Sequence, residues 1–107
     1  MYVLKRVFQV QRGQEWKAAA LATKIGAAYE AAGRNPSSVY IGGTGLPGEP
    51  GMVYVEWTQD AIEPNRYSNV PKAVFELVKE MRPIQEDTWI EFYELVTPEK
   101  LQDRGAV

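Results

Sequence analysis

The sequence predicts an α+β fold: one four-stranded antiparallel sheet with two helices on one face. Three observations carry this. The segments read in the order β-α-β-β-α-β. The middle two strands are joined by a Gly- and Pro-rich tip. The strands alternate apolar and polar side chains, as expected of a sheet with two different faces. The 107 residues suit a single domain.

Residues 2–11 are rich in β-branched and aromatic types and read as the first strand, broken at Gly13. An Ala-rich run from Gln14 to Ala32 reads as a helix, with Ala18, Leu21, Ala22, Ile25, Ala28, Tyr29 and Ala32 as its apolar stripe. Gly33 and Asn35-Pro36 stop it. Gly26 lies inside the helix, where it allows a close approach to the sheet or is simply tolerated. Residues 38–42 and 52–58 form a hairpin. Its tip, from Thr44 to Gly51, is turn chemistry throughout. A connector follows over 59–70 with Asp60, Glu63, Pro64, Asn65, Arg66 and Tyr67, read as a solvated segment. The second helix runs from about Pro71 to Arg82, buries Val74, Leu77, Val78 and Met81, and ends at Pro83. The last strand is 88–96. The domain is expected to span 1–97, and 98–107 is expected to be a C-terminal tail with one helical turn at most. Two right-handed crossovers around one hairpin give the ferredoxin-like plait, with strand order 4-1-3-2.

Composition excludes several classes of function. Twelve Lys and Arg against 14 Asp and Glu give a charge of −2. The basic residues are scattered with no stripe, so nucleic acid is not an expected partner. There is no cysteine and no histidine. That removes disulfides, thiolate nucleophiles, zinc fingers and the usual haem ligand, and neither a metal nor a cofactor is expected. No apolar run approaches the ~20 residues of a membrane span, so no membrane is expected as a partner. The N-terminus lacks the order of a signal peptide, and a cytoplasmic location is the expectation.

Two helices cover one sheet face only. Alternation assigns Val3, Lys5, Val7, Tyr40, Met52, Tyr54, Glu56, Trp89, Glu91, Tyr93 and Leu95 to the other. Such an aromatic surface calls for a partner sheet or a ligand. In the plait order the first strand lies between the third and fourth, so Lys5 is expected between Glu56 and Glu91, with three tyrosines around them. Arg6 falls awkwardly in the helix-side set.

On these residues the chain resembles the dimeric α+β barrel superfamily of antibiotic-biosynthesis-type monooxygenases, stress-responsive barrel proteins and polyketide cyclases. The resemblance covers roughly 2–96. It rests on Val53-Tyr54-Val55-Glu56-Trp57, an acidic connector, Met81-Arg82-Pro83-Ile84 and the closing Glu91-Phe92-Tyr93-Glu94-Leu95. It implies a homodimer packed sheet against sheet, with each open face lining a cleft. The chain departs from the haem-ligating branches and from the many monooxygenase-like members with a connector histidine, since it has none.

Candidate roles follow. Glu56 and Glu91 are read as paired carboxylates for proton transfer, with Lys5 stabilising a developing enolate. The alternative is a structural ion pair to Lys5 or a dimer contact. Tyr40, Tyr54, Trp89 and Tyr93 are read as the lining of a pocket for a small aromatic ligand, or as interface core. The function expected is a small-molecule-binding protein of the cofactor-free monooxygenase or cyclase type, with an aromatic or polyketide-like substrate. The alternative is a non-enzymatic dimeric barrel binding a ligand or a protein. Gly43-Thr-Gly45-Leu-Pro-Gly48 matches a dinucleotide-binding spacing but leads into a strand rather than a helix, which favours a plain hairpin tip. Trp16 and Trp57 are read as core and helix-packing residues.

Overall fold

A computed structural model of the chain describes residues 1–63 and 70–106. The readings made for Pro64, Asn65, Arg66 and Tyr67 lie outside the described residues.

The elements are β1 (Tyr2–Val10), α1 (Glu15–Ala31), β2 (Ser38–Gly42), β3 (Met52–Gln59), α2 (Lys72–Met81), β4 (Gln85–Glu94) and α3 (Pro98–Asp103). The sheet order is β2-β3-β1-β4, and every pairing is antiparallel. This is the expected plait. Between its helical layer and the sheet lies one core, built from Leu4, Phe8 and Val10 of β1, Val53, Val55 and Trp57 of β3, Ala18, Leu21 and Ala22 of α1, Met81 of α2 and Ile84 in the turn that follows it. Helix α1 packs on β2, β3 and α2. Ala18, Ala19, Ala22 and Gly26 on its buried face are small, which lets the helix lie close to the sheet. Gly26 belongs to the same approach: a Cβ there would come within 2.4 Å of Ser37 Oγ in the loop that leads into β2.

Four expectations are corrected. First, β4 begins at Gln85, three residues before the expected Thr88, and ends at Glu94. Gln85-Glu86-Asp87 carry no strand signal, but an edge strand pairs on one side only and tolerates charge on the other. Leu95 and Val96 lie beyond the strand, although Leu95 N–H still donates to the Met1 carbonyl. Second, the tail forms α3 over six residues, capped by the Thr97 hydroxyl, which accepts from the Lys100 N–H. Third, Trp16 is 75% exposed and is no core residue. It sits two residues, about 200°, away from Ala18 on the buried stripe. Fourth, Pro71 caps α2 from outside rather than lying in its first turn. Trp57, by contrast, is buried as expected. Arg6 lies between Val55 and Ile90 in the register and stays partly exposed, as a long charged side chain can when its stem lies on apolar neighbours.

The hairpin tip is held to the sheet. Val10 N–H donates to the Gly51 carbonyl, and both Gly43 and Gly51 have positive φ. A Cβ on Gly43 would stand 2.0 Å from the Glu49 carbonyl oxygen. Gly43→Ala is therefore expected to cost more than the roughly 1–2 kcal/mol of a left-handed L-residue, because a backbone clash is added. Urea denaturation of the variant checks this.

Candidate functional site on the open sheet face

The register places the predicted residues together. Lys5 stands directly between Glu56 on β3 and Glu91 on β4, and Val7 stands between Tyr54 and Trp89. Tyr40 of β2 pairs with Tyr54, and Val3 pairs with Tyr93. Directly opposite residues share a face. So Lys5, Tyr40, Tyr54, Glu56, Trp89, Glu91 and Tyr93 all lie on the side away from the core. At the centre of this face Val7 is fully buried in the single chain, enclosed by its large neighbours. Tyr40 and Tyr93 are about half exposed.

The polar groups are arranged differently from the alternative of an ion pair to Lys5. Among the described residues Lys5 makes no salt bridge within 4.0 Å. Its ammonium lies over the rings of Tyr54, at 5.5 Å, and Tyr93, at 5.6 Å. That is cation–π range. The carboxylates instead take hydrogen bonds from the aromatic residues. Tyr40 OH donates to Glu56 Oε2 at 3.3 Å, Trp89 Nε1–H donates to Glu91 Oε2 at 2.8 Å, and Tyr93 OH donates to Glu91 Oε1. The Trp89, Glu91 and Tyr93 side chains meet because alternate residues of a strand point the same way.

These bonds set the charge states. The hydrogen bonds from Tyr93 and then Trp89 hold the Glu91 carboxyl below its ordinary value of 4.5; partial desolvation opposes them and Lys5 adds to them. The bond to Glu91, with some desolvation, raises the Tyr93 phenol above its ordinary 10.0. Glu91 is thus an ionised acceptor and a weak base, and Tyr93 a neutral donor. The stabilisation tied to Glu91 is present above the ordinary carboxyl value and is lost as pH falls through the lower folded value. The part tied to Tyr93 is present below pH 10 and lost as pH rises through its higher folded value. Tyr93→Phe is expected to return the Glu91 carboxyl toward 4.5, read by carbon-detected NMR titration. An unchanged midpoint would contradict the proposed bond.

One of two concave places borders this arrangement. A small one, of about 200 Å³, is lined by Val3, Pro36, Ser38, Glu56, Trp57 and Thr58 at the end of the sheet. A groove of about 570 Å³ runs beside α1 and the β2 edge, with Trp16, Ala20 and Leu46 on its walls, away from the Lys5 centre. Among the described residues no group of three or more His, Cys, Asp or Glu is placed to hold a metal ion, and no helix is long and apolar enough to cross a membrane. The Gly43–Gly48 segment is bends leading to β3 and offers no helix N-terminus to a phosphate.

A ferredoxin-like α+β plait with an aromatic, charged open face is the class this geometry defines. No family model and no curated protein matches the chain. Solved structures do match in fold. An uncharacterized NIPSNAP domain protein from Burkholderia xenovorans is similar with a TM-score of 0.69 at 11% identity, over 92% of this chain and 97% of the other. An antibiotic biosynthesis monooxygenase is similar with a TM-score of 0.67 at 9% identity, over 91% and 100%. A dimeric protein of unknown function and ferredoxin-like fold from Bacteroides fragilis is similar with a TM-score of 0.59 at 16% identity, over 88% and 96%. At such identities the likeness is one of fold, and it agrees with the fold expected from the resemblance.

Proposed function

We propose that the open face binds a flat aromatic or polyketide-like small molecule in a cleft closed by the same face of a second copy of the chain. The observation that carries this is the placement of Tyr40, Tyr54, Trp89 and Tyr93 on one face around an ammonium that has no salt bridge among the described residues. A single sheet supplies one wall, so a cleft needs a second, and the dimeric neighbour of the same fold supports that arrangement. The rings hold the ligand by stacking, and Lys5 offers its N–H groups to an enolate or phenolate oxygen. With Glu91 engaged by two donors and weakened as a base, Glu56 carries the proton. A cofactor-free monooxygenase or cyclase fits such a site, because an electron-rich substrate supplies its own reactivity.

A second reading, a non-enzymatic barrel that binds a ligand or a protein, is favoured by the same Glu91 bonds, which use its oxygens structurally. A melting-temperature screen with flat aromatic compounds tests the shared claim: some are expected to raise the midpoint. A screen in which none does contradicts ligand binding. Turnover of a stabilising compound in air then separates the two readings. Glu56→Gln is expected to abolish turnover and Glu91→Gln to reduce it; turnover intact in both removes the proton-transfer role.

A further inference from the structure

On the opposite side of the sheet the α1–β2 loop holds Arg34 in an unusual setting. Its guanidinium lies 3.9 Å from the centre of the Trp57 ring and 4.2 Å from that of Tyr29. Trp57 belongs to the buried core and Tyr29 to the last turns of α1, so the cation lies over two rings fixed by the fold. Stacking covers the faces of a guanidinium and leaves its donors in the plane unused. Among the described residues none of those donors has a hydrogen-bond or ion-pair partner, and Nε is in addition sealed from solvent. Burial pushes the group down to about 10, so it remains a cation at neutral pH.

The acid that acts on this charge is engaged elsewhere. Glu30 is close enough to favour the Arg34 charge, but its Oε1 accepts from both the N–H and the hydroxyl of Ser37. A partly buried charge without a paired counter-charge is costly. Two rings already stand within stacking distance of the guanidinium. What remains is the edge carrying the two terminal nitrogens, a planar fork that an oxyanion matches with two parallel hydrogen bonds.

We propose that Arg34 is a binding site for a small oxyanion, a carboxylate or phosphate group that meets the terminal edge of the guanidinium in its plane. The site is independent of the open face and of the function proposed for it. The stacking rings act as positioning residues. They fix the direction of the fork before the anion arrives, which reduces the ordering cost of binding.

The test follows the Arg34 Nε–H signal by NMR, assigned through its contacts to the Trp57 indole, so that no variant has to fold. Inorganic phosphate and acetate are titrated separately at constant ionic strength, with chloride as the balancing salt. The expected result is a saturable shift with at least one of them, and the tighter one identifies the source of the oxyanion group. Arg34→Lys keeps the charge and loses the fork, and is expected to weaken binding at least tenfold by calorimetry. A signal that moves no more with phosphate or acetate than with chloride overturns the proposal and leaves Arg34 as a structural clamp at the end of α1. Equal affinity in Arg34→Lys overturns it as well.

Discussion

Leu4→Ala is expected to remove about 2–5 kcal/mol of folding stability, the range for deleting a buried leucine side chain. Leu4 is 1% exposed and lies on the helix side of β1 between Trp57 on β3 and Phe92 on β4. The cavity would open where the central strand meets both neighbours, so little of the surrounding structure is free to close it. A domain of this size holds roughly 5–15 kcal/mol in total, so the variant loses a large share of its stability. Urea unfolding followed by tryptophan fluorescence gives the value. Val96→Ala provides the contrast. Val96 is 66% exposed beyond the end of β4, and its replacement is expected to stay within about 0.5 kcal/mol. A loss below about 1 kcal/mol for Leu4→Ala would contradict the core as described.

Trp89→Ala is the second large effect, and it concerns the open face. Trp89 stands beside Val7 and donates to Glu91, so its removal uncovers the centre of the face and frees one donor bond of the carboxylate. On the proposed dimer, large aromatic residues near the middle of an interface carry about 2 kcal/mol or more, which corresponds to roughly a 30-fold weaker self-association. Sedimentation at several protein concentrations measures it. The Glu91 carboxyl should also rise toward its ordinary value, since one of its two hydrogen bonds is gone. A variant that self-associates as tightly as the parent would remove Trp89 from the interface and leave it only the covering of Val7.

Much of this arrangement was legible in the residues. Period-2 alternation in Met52–Gln59 and in Trp89–Tyr93 assigned the faces, and the plait order then forced Lys5 between Glu56 and Glu91. The ion pair to Lys5 that the sequence offered as the alternative is absent among the described residues. Alternation says which side chains share a face, but the choice between a carboxylate–ammonium and a carboxylate–phenol bond depends on reach. Trp89, Glu91 and Tyr93, spaced by two, carried a readable signal for their hydrogen bonds. The start of β4 was hidden because Glu86 and Asp87 carry no strand signal, and nothing in a sequence marks an edge strand that needs bonds on one side only. Trp16 was misplaced by its bulk, since hydrophobicity alone outweighed its position off the Ala18–Leu21–Ala22 stripe. Arg34 carried no signal at all. Its two stacking partners lie five residues before it and 23 after, and only the fold joins them.

The central claim is that the open face is closed by a second copy of the chain around a small molecule. A native mass spectrum of the untagged protein tests it most directly. A dimer is predicted, carrying added mass that identifies a bound ligand when one is retained through purification. A bare monomer at micromolar concentration would contradict the claim and would leave Tyr40, Tyr54, Trp89 and Tyr93 facing some other partner.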